Sequence, residues 1–191
     1  MLPLSELQQE FGRKTFDLGC MKFGDFELKD KTRSPIYVDY RLLRSDPNAL
    51  DLAVQLFKDM TDGLKVDRLA DIPLSISPVV AVLSHVTRIP MITPRPPKDH
   101  GTKASIEGLY EPGEVVVVYD DLITRAKSKF EATEPLEQAG LIVKDIVVLL
   151  DRCQGGAAQV TNAGYNLHSA IKLPDLLDFY VEEGMLDTTK R

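Results

Sequence analysis

Four consecutive valines, Val115–Val118, constrain this chain more than any other stretch. A run of β-branched residues, apolar at every position, suits a strand buried on both faces in the middle of a parallel sheet. Glu111, Pro112 and Gly113 mark a turn before it, and two adjacent carboxylates, Asp120 and Asp121, close its far end. Hydroxyls at Thr124 and Ser128 follow, where a helix should begin. In open α/β sheets ligands gather at the carboxyl ends of the strands, so the acidic pair marks the expected site. Taken locally, the same pattern equally fits an acidic pair that ends a strand and caps the next helix.

Around this run the periodicity alternates. Leu4, Leu7, Phe11 and Phe16 recur near the helical period and predict an amphipathic helix over residues 4–16. Residues 18–29 read as two brief strands around Gly24, and Ser34–Tyr40 as a strand with Ile36, Val38 and Tyr40 on one face. Asp46 followed by Pro47 is a helix start, with the acid as cap and the proline in the first turn. Leu50, Ala53, Val54, Phe57 and Met60 mark its buried stripe as far as Asp62. Further strands are predicted over 67–72, 90–93, 106–110 and 146–150 and near Leu167. Helices are predicted over 78–86, 127–139 and 174–183, with a short one ending at Gly164. Pro135 is expected to kink or shorten the helix that holds it. Strands alternating with helices predict an α/β fold, a parallel sheet covered on both faces. Residues 1–40 are expected to form an N-terminal helix and hood, and 41–191 the α/β core.

A chain of 191 residues suits one domain. Its 43% hydrophobic content, with 27% charged residues, places it with globular chains rather than disordered ones. No apolar run approaches the roughly 20 residues that span a bilayer, and the first ten residues lack the basic start and apolar core of a signal peptide. Two cysteines, Cys20 and Cys153, are too few for a disulfide framework or a cysteine-based metal site. The expectation is a cytoplasmic protein with no membrane partner. A formal net charge of −6 argues against general binding of nucleic acid, which needs basic surface. Against that background Arg95, Lys98, His100 and Lys103 fall close together in a turn-rich stretch opened by two prolines. A charge run is commonly only a solvated face; set in a loop on an acidic protein, it fits a small, highly charged anion better than a polymer.

Four segments, in order, resemble the orotate phosphoribosyltransferases, a family of type I phosphoribosyltransferases. Lys22–Lys29 with Ser34–Asp39 resembles the family's N-terminal hood. Lys98–Lys103 followed by Ile106–Gly108 resembles its mobile basic loop, and Val115–Thr124 its 5-phosphoribosyl 1-diphosphate (PRPP) motif. Leu149–Gly156 is similar to a segment whose arginine contacts orotate, and Gly164 with Leu167–Ser169 extends the similarity over nearly the whole chain. The hood, the loop and the Asp-Arg-x-Gln-Gly-Gly segment carry the specificity; the acidic pair alone does not.

The resemblance implies a type I phosphoribosyltransferase-like parallel sheet flanked by helices, and transfer of phosphoribosyl from PRPP to orotate. Lys98, His100, Asp120 and Asp121 would be catalytic, the two acids facing the ribose hydroxyls. Thr124 and Ser128 would hold the 5′-phosphate, Arg95 and Lys103 the diphosphate, and Lys22, Tyr37 and Arg152 orotate. An arginine suits a planar carboxylate because its guanidinium can make paired, charge-assisted hydrogen bonds. Mg²⁺ carried mainly on substrate oxygens, and a homodimer whose 95–105 loop reaches the partner's site, are implied in the same way.

The departures from the family fall on the anion side. Arg125, Ala126 and Lys127 stand where small residues usually let the backbone close on phosphate. Ile72–Pro78 lacks the usual small residues, Pro94-Arg95 leaves one cation fewer ahead of the loop, and Asp30-Lys31 replaces a Ser-Gly turn in the hood. If the phosphate loop needs φ > 0 or close contact, a β-carbon there costs on the order of 1–3 kcal/mol, about 10- to 100-fold in binding. Two other readings therefore stand beside transfer to orotate: a pyrimidine- or nucleotide-binding regulatory protein, and a transferase for another base.

Overall fold

The computed structural model describes residues 3–27, 33–95 and 105–187. They form α1 (Glu6–Asp17), β1 (Met21–Glu27), β2 (Arg33–Val38), a 3-10 turn (Tyr40–Ser45), α2 (Pro47–Thr61), β3 (Arg68–Asp71) and α3 (Ser77–Thr87). β4 (Met91–Pro94), β5 (Ile106–Glu107), β6 (Val115–Ile123), α4 (Lys127–Gln138), β7 (Ile142–Asp151), α5 (Gly156–Asn162), β8 (Asn166–Lys172) and α6 (Leu173–Glu182) follow.

The valine run opens β6, an inner strand of a six-stranded sheet of order β5-β4-β3-β6-β7-β8. β6 is parallel to both neighbours, and only the two-residue β5 runs antiparallel. Alternation explains why every valine is apolar. Val117 and Tyr119, with Val147 and Leu149 of β7, pack into a cluster that includes Phe11, Phe57, Leu83 and Tyr180 from the helices on that side. Val116, Val118, Ile146 and Val148 fill the opposite cluster with Ala126, Leu136 and Val160. Both faces are thus covered, as a parallel sheet requires. β1 and β2 form a separate antiparallel pair, and Met21, Ile36 and Val38 join the first cluster. Among the described residues no helix is long and apolar enough to cross a membrane.

Several elements differ from expectation for local reasons. β1 is one strand rather than two: its register slips between Phe23 and Phe26, so Gly24 and Asp25 mark a bulge inside it. The strand expected over 106–110 stops at Glu107, because Gly108 turns the chain at φ +103°. α4 runs unbroken through Pro135. The next residue, Leu136, is fully buried, and this anchoring of the last turn offsets the hydrogen bond that proline cannot make. The 3-10 turn after β2 had no signal in the periodicity.

Candidate active site

The carboxyl ends of β3, β4, β6 and β7 meet beneath the hood, and the acidic pair lies among them. The two acids differ sharply. Asp120 is 7% exposed: Oδ1 accepts the Asp121 N–H at 2.8 Å and Oδ2 accepts Lys129 Nζ at 2.6 Å. Burial pushes its carboxyl up to about 7, against the pull of the Lys129 ammonium, and the neighbouring Asp121 charge adds to the rise. Asp121 is partly exposed and accepts the Leu122 N–H at 2.7 Å. Of the pair, it is the one open to a ligand.

Beyond the acids, Thr124 and Ser128 are partly exposed, and Arg125 and Lys127 are exposed. Ala126 has φ −83° and ψ −1°, ordinary right-handed backbone, and its side chain packs in the cluster with Ile123 and Val160. Positive φ at a described non-glycine residue occurs only at Arg88 and Cys153. The strain expected of a β-carbon in this loop is therefore absent. Close approach falls instead at Gly156, where a Cβ would stand 2.6 Å from Ile123 Cγ1 and 2.8 Å from the Thr124 carbonyl oxygen. The Gly156 N–H donates to that carbonyl at 3.1 Å, and the Ala126 N–H donates to Gln159 Oε1 at 2.9 Å. α4 opens without a side-chain cap, and the N–H groups of an uncapped first turn favour an anion.

On the hood side, Arg152 leaves the end of β7 and reaches β2. Its Nη2 donates to Ser34 Oγ at 2.9 Å and to the Ile36 carbonyl at 3.1 Å, while Nε is buried without a hydrogen-bond partner among the described residues. Burial lowers its pKa. Lys22 and Tyr37 face each other across β1 and β2, with the ammonium 6.0 Å from the ring centroid. Arg41 donates to both Asp39 oxygens, at 2.6 and 3.0 Å, and to the Tyr37 hydroxyl at 3.1 Å. That pairing holds the Asp39 carboxyl below its ordinary value.

On the β3–β4 side, Asp71 at the end of β3 is buried and accepts from the Ser77 and Thr93 hydroxyls, tying the 72–77 loop to β4. Arg95 is an ion-pair partner of Glu107 at 2.7 Å, and its Nη1 is buried with no hydrogen-bond partner among the described residues. Lys98, His100 and Lys103 lie outside the described residues, as do Asp30 and Lys31.

Comparison with models of protein families returns no match. Comparison with individual proteins is decisive. An orotate phosphoribosyltransferase of Thermoplasma volcanium is 34% identical over 158 residues, which cover 83% of this chain and 93% of the relative. The chain belongs to the orotate phosphoribosyltransferase family. An orotate phosphoribosyltransferase of Caenorhabditis elegans is 32% identical over 90% of this chain and 77% of its own length. Among solved structures, UMP synthase of Leishmania donovani superposes with a TM-score of 0.89 at 34% identity, covering 96% of this chain but 40% of that one. The orotate phosphoribosyltransferase of Aeropyrum pernix superposes at 0.78 with 26% identity over 88% of this chain and 97% of that one.

Three buried residues that hold the candidate site together escape sequence reasoning: Lys129, Ser34 and Asp71. Lys129 was findable. It shares a helical face with Ala132, Thr133 and Leu136, so a lysine stands on the buried stripe of α4. Ser34 and Asp71 act through partners that only the tertiary fold brings near, and nothing local announces them.

Proposed function

We propose that the chain transfers phosphoribosyl from PRPP to orotate, releasing pyrophosphate and giving orotidine 5′-phosphate. The observation that carries this reading is the buried, incompletely satisfied Arg152 guanidinium set between the hood and the end of β7. A buried cation with a free donor favours a planar anion. Lys22 and Tyr37, paired across the hood, supply a second positive charge and an aromatic wall. Asp121 faces the ribose hydroxyls, and Thr124, Ser128 and the start of α4 take the 5′-phosphate. Arg95 lies toward the diphosphate, and Lys98, His100 and Lys103 are assigned to it by their place in the basic loop.

Bond breaking at ribose C1 runs ahead of bond making, so positive charge develops on the sugar and negative charge on the leaving diphosphate. Groups already oriented in a water-poor site stabilise both. Among the described residues no three His, Cys, Asp or Glu side chains converge, and Asp121 offers a hard carboxylate oxygen. This donor set fits a Mg²⁺ carried chiefly on substrate and water, which when bound neutralises diphosphate charge. The reading also takes in a homodimer sharing the 95–105 loop and, from the two free cysteines, a cytoplasmic setting.

The test is orotate consumption, followed by absorbance with purified protein, PRPP and Mg²⁺. Turnover that needs all three components is expected. Orotate binding without turnover would return the chain to the regulatory reading, and turnover of another base alone to the third.

A further inference from the structure

Lys129 stands in the first turn of α4 with its side chain 3% exposed. An ammonium has three donors, and here they reach Asp120 Oδ2 at 2.6 Å, the Leu122 carbonyl at 2.6 Å and, at longer range, Ser128 Oγ at 3.4 Å. One side chain therefore joins the first acid of the pair, the backbone two residues further on and a hydroxyl of the phosphate loop. Lysine is almost never buried unless paired, so charge balance accounts for Asp120 facing it. Charge balance does not account for the Leu122 carbonyl. Nor is a buried ion pair a gain in stability, since a packed apolar pair of similar volume is commonly as stable or more so. What three directed bonds add is a fixed path for the chain from β6 into α4.

We propose that Lys129 is a positioning residue for the 5′-phosphate loop, bracing Asp120 and Leu122 so that the turn Thr124–Ser128 is preformed, and that this leaves Asp121 as the ribose-facing acid of the pair. The proposal rests on reading the site as that of a phosphoribosyltransferase. It also explains how a loop containing Arg125, Ala126 and Lys127 holds its shape: the restraint comes from beneath, through the lysine, with Gln159 accepting the Ala126 N–H.

The test uses the full chain in steady-state assays, with PRPP and orotate varied separately, and titration calorimetry with ribose 5-phosphate. In Lys129→Met, the KM for PRPP rises about 10- to 100-fold, while that for orotate stays within about twofold. A role confined to folding would lower activity alike for both substrates, and that result overturns the proposal.

Asp120→Asn/Lys129→Met, which removes both buried charges, separates stability from positioning. It is expected to melt near the wild-type temperature yet keep the raised KM for PRPP, because the Leu122 carbonyl has still lost its donor. Wild-type KM in this double variant would mean that Lys129 only balances charge, and the proposal falls. Calorimetry keeps the two readings apart. If wild type turns over no orotate, the transferase reading fails on its own. A loss of ribose 5-phosphate affinity in Lys129→Met then still supports the brace, and unchanged affinity overturns it.

Discussion

Arg152 commits part of its guanidinium to the fold and, in the proposed reading, offers the rest to orotate. Nη2 is committed to Ser34 and the Ile36 carbonyl, and Nε has no partner among the described residues. Burial lowers its pKa, but an arginine remains a cation throughout the working range. The left-handed Cys153 follows directly, its N–H held by Asp151 Oδ1 at 2.8 Å, so the backbone on both sides of the arginine is fixed. Removal of a buried, charge-assisted contact costs on the order of 2–4 kcal/mol. Arg152→Ala should therefore lower kcat/KM for orotate roughly 30- to 1000-fold and leave the KM for PRPP nearly unchanged. Arg152→Lys should not rescue it, because a point charge cannot replace two nitrogens in one plane. Equal losses for both substrates would show that the arginine merely holds the hood. Arg152 was legible as a residue; its dependence on Ser34, 118 positions away in the chain, was not.

At the scale of elements, the phosphate loop is set by how closely α5 approaches the end of β6. Gly156 opens α5 against Ile123 and the Thr124 carbonyl, with no room for a methyl group. Gly156→Ala must push the two elements apart, and overpacking of this kind costs about 1–3 kcal/mol. For a chain of this length that lowers Tm by roughly 2–12 °C. One of the displaced atoms is the Thr124 carbonyl oxygen, so the KM for PRPP should rise while that for orotate holds; kinetics and a thermal melt on one preparation check both. The inner strands could be read from sequence because their residues are apolar on both faces, and α2 because Asp46 and Pro47 announce it. The β1 bulge, the short β5 and the unbroken α4 could not. The first two turn on backbone geometry, at Gly24-Asp25 and at Gly108, and the third on packing, since the buried Leu136 anchors the turn that holds Pro135. The phosphate-loop expectation is answered only for the backbone angle: Ala126 lies in the right-handed region, where alanine is at ease.

Over the whole molecule, the hood is not a loose cover: Met21, Ile36 and Val38 belong to the same apolar cluster as the sheet residues Val117 and Val147. Lys22 and Tyr37, which the proposed reading assigns to orotate, are thus tied to the core of their own chain. The basic loop stands differently in the proposed reading, which assigns Lys98, His100 and Lys103 of one protomer to the site whose Asp121 and Arg152 come from its partner. That division can be tested by mixing. Lys98→Ala and Arg152→Ala should each be nearly inactive as homodimers. Co-refolded in equal amounts and paired at random, half the dimers are mixed. In a mixed dimer one site receives both defective groups and the other receives neither. Activity should then recover to about a quarter of the wild-type level, counted as intact sites in a two-fold assembly. If each loop instead served its own subunit, every site in the mixture would carry one defect. The mixture would then stay as inactive as its parents, and the sharing of the loop would be refuted while transfer to orotate stood untouched.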